Sequence, residues 1–373
     1  MTETNTMHMN LDDIEDILCP PGNGVFTVKT AEDIIESVQR EIYGDTGKEK
    51  IRLRWKESLK NIEQTDKPLL LGVCSDCGGG IHRGANWGPL FVRKGIQEIP
   101  GHAQYLDVGD IRIIPHLLHD KYLNQKTINK CRDFLFNNKN HLPISPLSLT
   151  EYFCDQINQQ SSPKKIFSIG GDHSVSYPLV RSWIRSRKKL GKNVAIIHFD
   201  AHTDLMDARQ GIDYCFATWA YQILEDLGNP KNLIQLGIRS SGQTKSYWEE
   251  KMGVQQYWSH EISHQTIPDI SQKIIDYLEK ANIDEVYVSF DIDAIDEKYA
   301  SATGTPEPEG LSPEMPQVIL SPILEKFKLT GADMVEVAPW VSRDMGEKGT
   351  ASTKSTILVA AAISNYLIEQ LSQ

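Results

Sequence analysis

The chain has 373 residues, of which 40% are hydrophobic, and a formal net charge of -11. Its size allows one large α/β domain or two domains with a substantial core, whereas its acidic balance argues against nucleic acid as the main partner, because phosphate neutralisation needs a basic face. No apolar run reaches the roughly 18 residues of a membrane span, and six cysteines without a paired framework favour a reducing, cytosolic setting.

Residues 1–67 differ from the rest of the chain, because they show helical patterns but no group of chemically reactive side chains. Helical spacing of apolar residues runs from 11 to 18 and from 31 to 42, and an Arg- and Lys-rich amphipathic stretch covers 51 to 62. We predict a helical N-terminal extension that packs on the main domain or on a neighbouring subunit. A lid over the functional site is the alternative.

The main domain is predicted to cover residues 68–373 and to open with a strand over Pro68–Cys74. A glycine-rich segment follows, which reads Cys77-Gly-Gly-Gly-Ile-His-Arg-Gly-Ala-Asn-Trp-Gly-Pro89, and a helix begins near Leu90. The segment contains neither of the phosphate-binding glycine patterns. Its candidate for the functional site is Arg83, because a guanidinium on a loop at a strand end can hold an acidic group.

After a polar, Asn-rich connection, strand and helix patterns alternate along the chain. Strands are predicted near 165–170, 194–200, 232–238, 285–291 and 331–337. Helices are predicted at 174–188, 216–227, 243–252, 267–281, 312–327 and 352–371. This alternation predicts an α/β fold in which a parallel sheet carries helices on both faces, joined by right-handed crossovers.

Acidic and imidazole side chains follow three of these strands at their carboxyl ends. The segments are Gly170-Gly-Asp-His-Ser174, Asp200-Ala-His-Thr-Asp204 and Asp291-Ile-Asp293. Ligands collect at the strand ends of open α/β sheets, so one shared polynuclear site is favoured over three unrelated acidic turns. The predicted metal ligands are His173, Asp200, His202, Asp204, Asp291 and Asp293. Such a set can hold two divalent ions, and its excess of carboxylates favours Mn²⁺ over Zn²⁺, with Ni²⁺ as an open alternative.

Together these motifs resemble the arginase/agmatinase family of ureohydrolases. Further family segments are Arg83-Gly-Ala-Asn-Trp-Gly-Pro89, Gly304-Thr-Pro-Glu-Pro-Glu-Gly310 and Val335-Glu-Val-Ala-Pro339, so the resemblance covers roughly residues 68–373. It implies a three-layer α/β/α fold with a mostly parallel sheet, and a binuclear metal centre that hydrolyses amidino groups. It also implies a homo-oligomer, either a trimer or a hexamer.

The resemblance also divides the six ligands between the two ions. One ion takes His173, Asp200, Asp204 and Asp291, and the other takes His202, Asp200, Asp291 and Asp293, so that Asp200 and Asp291 bridge. A water molecule between two divalent ions loses a proton near neutral pH and becomes a nucleophile. By resemblance, Asp204 relays a proton to the leaving nitrogen and Glu336 orients the substrate cation.

Two departures from the family pattern bear on the substrate. Agmatinase-like members carry a Ser-His-Gly-Thr type segment whose histidine shuttles protons, whereas this chain reads Cys215-Phe-Ala-Thr218. Phe216 takes the place of that histidine and cannot transfer a proton. The segment after Asp204 lacks the Asn- and Ser-rich stretch with which arginases hold an α-amino acid. The chain is therefore nearer to the agmatinase and guanidino-acid hydrolase branch than to arginase itself.

The predicted substrate-binding side chains are Glu336, Trp340, Phe216, Trp219 and Arg83. Aromatic contacts with a cation, each contributing about 0.5 to 2 kcal/mol, favour a compact substrate. We therefore predict a metal-dependent amidinohydrolase that releases urea from guanidine or from a short guanidino acid or amine. Arg83 and Arg209 indicate a second possibility, a substrate with a carboxylate tail such as guanidinobutyrate or formiminoglutamate. A formiminoglutamate hydrolase is therefore one alternative, and a weakly active regulatory or partner subunit is another.

Overall fold

The computed structural model describes residues 9–341 and 353–373, except positions 26, 28, 46, 138, 140, 160–162, 265 and 266. The strands of this described chain are β1 (Leu18–Cys19), β2 (Leu69–Gly72), β3 (Leu106–Ile111), β4 (Ile166–Ile169), β5 (Val194–Phe199), β6 (Leu233–Ile238), β7 (Gln255–Trp258), β8 (Glu285–Asp291) and β9 (Lys328–Val335).

The helices before β5 are α1 (Leu11–Ile17), α2 (Glu32–Tyr43), α3 (Lys48–Leu59), α4 (Gly88–Gln97), α5 (Gln125–Phe136), α6 (Pro146–Asn158) and α7 (Ser176–Lys189). Those after it are α8 (Trp219–Gln222), α9 (Leu224–Leu227), α10 (Lys245–Met252), α11 (Ser259–His264), α12 (Ile267–Lys280), α13 (Met315–Leu324) and α14 (Thr353–Leu371). Within the described residues, no helix combines the length and the apolar character that crossing a membrane requires.

The described strands form one sheet in the order β1-β3-β2-β4-β9-β8-β5-β6-β7. All neighbouring strands run parallel except β1, which is antiparallel to β3 at one edge. In the middle of the sheet, Phe290 of β8 pairs with Phe199 of β5, and Asp291 pairs with Val335 of β9. The strands β4, β9, β8 and β5 are consecutive neighbours, so their carboxyl ends lie side by side.

Alternation along the strands separates two apolar layers. In β5, Ile197 and Phe199 belong to the core cluster that includes α12, α13 and α14, whereas Val194 and Ile196 belong to a cluster with α7 and α8. Because successive side chains of a strand point to opposite faces, each strand in the middle of the sheet packs against helices on both of its faces. This is the predicted three-layer α/β/α architecture, with a mostly parallel sheet.

The N-terminal extension contains the three predicted helices, and β1 was not predicted. The side chains of Ile35 and Val38 on α2 pack against Leu90 of α4, and β1 adds a short edge strand through the pair Leu18 and Ile111. These contacts lie at the β1–β3 edge of the main sheet. The division of the chain at residue 67 stays a prediction.

Several elements differ from the sequence-based prediction. The polar connection contains β3, α5 and α6, and the polar edge strand β7 was also missed. The helix expected over 216–227 is instead two short helices, α8 and α9, that follow an irregular loop. The last strand ends at Val335, two residues earlier than expected, so Glu336 stands on the loop just after it.

Candidate metal centre

The imidazole of His173 lies at the meeting point of carboxylates from two other strand ends. Its Nδ1 atom is 3.1 Å from Oδ2 of Asp200, 3.2 Å from Oδ2 of Asp204 and 3.1 Å from Oδ2 of Asp291. All four side chains are buried. Residues that are far apart in the sequence therefore place three carboxylate oxygens around one nitrogen.

A second group of donors adjoins the first and shares Asp200 with it. Nδ1 of His202 is 3.1 Å from Oδ2 of Asp293 and 3.4 Å from Oδ1 of Asp200. Nε2 of His202 lies 3.4 Å from Oε1 of Glu307, which holds the ring from its other side. The structure therefore brings together all six predicted metal ligands in two adjoining groups.

The carboxylates are oriented by main-chain donors of their own turns. The main-chain N–H of His202 donates to Oδ1 of Asp200 at 2.6 Å, and that of Asp293 donates to Oδ1 of Asp291 at 2.9 Å. The main-chain N–H of Ala201 donates to Oδ1 of Asp293 at 3.0 Å. These bonds fix the aspartate side chains before any ligand arrives, and they leave the Oδ2 atoms of Asp200, Asp291 and Asp293 facing the imidazoles.

The pKa shifts within the cluster reflect burial and the crowding of like charges. Burial raises the pKa of Asp291, and the charges of Asp293 and Asp200 raise it further, to well above its ordinary value. Burial also raises the pKa of Asp204, again helped by Asp200. Burial lowers the pKa of His173, but the surrounding carboxylates outweigh it and hold that pKa well above its ordinary value. Asp200 shifts the other way: hydrogen bonds with His173, His198 and His202 hold its pKa well below its ordinary value in spite of burial.

The residues present fit a divalent metal ion at Nδ1 of His173. Oγ of Ser289 donates to Oδ1 of Asp333 at 2.8 Å and lies 3.1 Å from Nε2 of His173, so Nε2 is the protonated nitrogen that donates to it. Nδ1 is buried and forms no hydrogen bond of acceptable geometry with any described residue. Carboxylate oxygens and imidazole nitrogens are the donors that Mn²⁺ and Ni²⁺ accept.

Two acids of the site have unusual backbone conformations. Asp204 has φ of 53° and Glu336 has φ of 62°, in the left-handed region that non-glycine residues rarely adopt. Backbone strain of this kind costs of order 1–3 kcal/mol and concentrates at functional sites. Glu336 directly follows the end of β9, and Asp204 lies in the loop after β5. At both places the chain turns an acidic side chain toward the cluster.

Glu336 adjoins the ligand cluster through the main chain of His173. Its Oε1 atom accepts a hydrogen bond from that main-chain N–H at 2.8 Å, and its side chain is buried. Burial raises the pKa of Glu336 well above its ordinary value, and the nearby charges of Asp291 and Asp172 add to the shift. A buried carboxylate beside acids favours a cationic partner.

The predicted substrate-binding aromatic residues occupy three different environments. Trp219 is 0% exposed, donates from Nε1 to Oδ2 of Asp204 at 2.9 Å and stacks on His173, so it supports the ligands and has no exposed surface for a substrate. Phe216 is anchored by its main-chain N–H to the carbonyl of Gly78 at 3.0 Å. Trp340 is 56% exposed and packs edge-on against Trp87.

Arg83 is engaged within its own loop. Its Nη1 lies 4.0 Å from Oδ1 of Asp76, and its side chain is half exposed. The other oxygen of Asp76 accepts hydrogen bonds from the main-chain N–H groups of Gly84 and Ala85 at 2.5 and 3.2 Å. Exposed pairs at this distance are weak, so the binding of an acidic substrate group by Arg83 stays a prediction.

Sequence reasoning missed the contact made by His198. This residue is fully buried, as its place inside β5 indicates, but its Nε2 lies 2.8 Å from Oδ2 of Asp200. It therefore falls within reach of the same donor group as His173 and Asp204. The period of two along a strand, which places His198 on the same side as Asp200, was the signal for this contact.

The comparisons with known proteins agree with this geometry. A model described as the Arginase family matches residues 67–368. An N(1)-aminopropylagmatine ureohydrolase from Thermus thermophilus is 34% identical over 176 residues, which are 47% of this chain and 56% of that protein. A guanidinobutyrase from Pseudomonas aeruginosa is 34% identical over 175 residues, which are 46% and 52%. The chain thus spans about half the length of these curated relatives.

Among solved structures, the arginase from Medicago truncatula has the same fold. The TM-score is 0.63 at 22% identity, and the match covers 97% of this chain and 98% of that one. The family model alone spans far more than half of the sequence. The chain belongs to the arginase family.

Proposed function

We propose that this protein is a metal-dependent amidinohydrolase that cleaves a guanidino compound and releases urea, using two divalent ions. The observation that carries the proposal is the convergence of three carboxylate oxygens on the buried Nδ1 atom of His173, at 3.1 to 3.2 Å. The second donor group, around His202 and Asp293, supplies a place for the second ion. Manganese is the favoured metal and nickel the alternative.

The side chains around the cluster supply the other parts of the reaction. The two ions, when bound, provide a water-derived nucleophile near neutral pH. Glu336 holds the planar substrate cation through the oxygen that is not occupied by the main chain of His173. Asp204, fixed by the indole N–H of Trp219, carries a proton to the leaving nitrogen. Water and a guanidinium compound thereby become urea and an ammonium ion, which carries the substituent of the guanidinium compound if there is one.

The predicted substrate is compact. The named relatives are hydrolases of guanidino compounds, an aminopropylagmatine ureohydrolase and a guanidinobutyrase, which supports this substrate class. The candidates for binding an acid tail are the half-exposed Arg83 and the exposed Arg209, whose guanidinium lies 4.8 Å from the ring centroid of Phe216. We therefore place guanidine first and short guanidino acids second.

The test is a screen of urea release from guanidine, 4-guanidinobutyrate, agmatine and arginine, after separate reconstitution with Mn²⁺ and Ni²⁺. We expect urea from at least one small guanidino compound. Glu336→Gln should keep its metal and lose at least about 100-fold in activity, because it removes the negative charge that faces the cation. Formamide release from formiminoglutamate without urea from any guanidino compound would contradict the proposal, as would a fully active Glu336→Gln variant.

A further inference from the structure

A small space beside Glu336 is bounded by two oxygen atoms. A Cβ atom placed on Gly304 would lie 3.1 Å from the main-chain oxygen of His82 and 3.5 Å from Oε2 of Glu336. In the described part of the chain, no other heavy atom beyond the neighbours of Gly304 comes within 4 Å of that position. Because Oε1 of Glu336 is occupied by the main chain of His173, Oε2 is the oxygen that faces this space.

The segments that bound this space are held against one another. Asp76 fixes the loop of His82 by accepting hydrogen bonds from the next residues, Gly84 and Ala85. The main-chain N–H of Ala338 donates to the carbonyl of Ala302 at 2.8 Å, which joins the segment after β9 to the segment of Gly304. The two oxygens are therefore held in place before a substrate arrives, and binding requires little ordering.

We propose that this space, the Gly304 recess, holds an unsubstituted NH₂ group of the substrate's amidinium end, and that the missing side chain of Gly304 sets the size limit there. The inference rests on the proposed function of the same site. Two acceptor oxygens, one of them a carboxylate, match the two hydrogens of a cationic NH₂ group. A methyl group on that nitrogen would occupy the recess and leave one oxygen unpaired, which costs binding energy.

The recess therefore defines a class of substrate. Guanidine and guanidines substituted on a single nitrogen keep a free NH₂ end and fit. N,N′,N″-trimethylguanidinium has the same planar charge but a methyl group on every nitrogen, so it does not fit. The carbonyl oxygen of His82 and Oε2 of Glu336 also exclude an anionic group from the recess. An anion would bring another hydrogen-bond acceptor and no donor for either oxygen.

The test compares Gly304→Ala with Gly242→Ala, in metal-loaded full-length protein. Neither glycine has a left-handed backbone conformation, and a Cβ atom on Gly242 would meet no described atom within 4 Å. We expect Gly304→Ala to raise the KM for guanidino substrates by about 10- to 200-fold, the range for one misplaced methyl group. Metal content and Tm should match those of Gly242→Ala. Equal KM values for the two variants would overturn the inference.

A binding measurement separates this inference from the proposed function. Calorimetric titration of the metal-loaded wild type with millimolar guanidinium chloride should show binding that is at least about tenfold tighter than that of N,N′,N″-trimethylguanidinium. Suppose that the protein binds guanidinium, loses that binding in Gly304→Ala and yet releases no urea. That outcome would support the recess and contradict the proposed hydrolysis. Equal binding of the two cations to the wild type would contradict the recess, even if urea is released.

Discussion

In the described part of the chain, two of the groups of buried acids are balanced in different ways. In the first, Asp107 and Asp110 of β3 surround the fully buried guanidinium of Arg93, with contacts from 2.5 to 3.2 Å. In the second, the acids at the ends of β5 and β8 face only histidines among the described ion pairs. Acids that are paired with a buried guanidinium stabilise the fold. Acids without such a partner are available to bind a metal cation.

The pKa shifts express the same difference. Burial raises the pKa of Asp107 only to about 6, because the charge and hydrogen bonds of Arg93 oppose the effect. For Asp291, burial and the neighbouring acids Asp293 and Asp200 outweigh the opposing effect of His173, and its pKa lies well above its ordinary value. Arg93 supplies a permanent positive charge to the first group, whereas the imidazoles of the second group lower the pKa of Asp200 but do not offset the shift of Asp291.

The largest expected effect follows from removing one acid of the second group. Asp291→Asn should lose bound metal and at least about 1000-fold in urea release, since a divalent ion supplies several kcal/mol of stabilisation to the reaction. Metal analysis and initial rates measure both effects. The matched control is Asp284→Asn, the same change next to the opposite end of β8, where the side chain is exposed. Retention of the metal by Asp291→Asn would contradict the proposed difference between the two groups of acids.

A substitution in the first group should lower the stability of the protein and leave its metal content unchanged. Asp110→Asn leaves the buried Arg93 short of a partner and weakens the contacts to the main-chain N–H groups of Gly22 and Gly24. We expect a loss of about 3–5 kcal/mol in the free energy of unfolding, measured by urea denaturation, with full metal binding in the folded protein. A loss below about 1 kcal/mol would show that this ion pair does not support the fold.

A smaller effect is expected where a neutral side chain supports the second group. Trp219→Phe removes the N–H donor to Asp204 and should lower metal affinity or activity by about 10- to 100-fold, the usual range for a group that orients a ligand. Trp183→Phe is the control, because that buried indole donates to Thr330, which lies outside the cluster. If both variants keep wild-type activity, Trp219 only fills space.

The smallest effect should come from an ion pair that is not buried. Lys326 and Glu279 are 2.7 Å apart, with about half of each side chain exposed. Glu279→Gln should change the free energy of unfolding by no more than about 1 kcal/mol, because water and salt screen exposed pairs. A loss as large as that of Asp110→Asn would mean that burial is not what distinguishes the groups.

The second group was easier to predict from the sequence than the first. Asp200 and Asp291 directly follow or end apolar runs, so the strand pattern located them, and β4, β5 and β8 were predicted within two residues of their observed ends. In β3 the acids Asp107 and Asp110 interrupt the apolar pattern, and their burial depends on partners in other elements, above all Arg93 of α4. Sequence periodicity records local alternation, not a partner on another element.

The substrate side of the site was harder to predict. Trp219 was expected to touch the substrate, but its buried indole has a partner that the sequence could not indicate, Asp204. The resemblance to a family identified the residue types, whereas the orientation of each side chain depends on loops whose conformation has no simple period. The strand ends follow a regular sequence pattern, whereas the loops that follow the strands do not.

The central claim is that the acids around His173 and His202 bind two divalent ions. The most direct measurement is the metal content of the wild-type protein after saturation with Mn²⁺ and removal of free metal by gel filtration. We predict two ions per chain, and a lower Tm after chelation, because the repelling acids then lose their counter-charge. Fewer than two tightly bound ions per chain, with Ni²⁺ giving the same result, would contradict it.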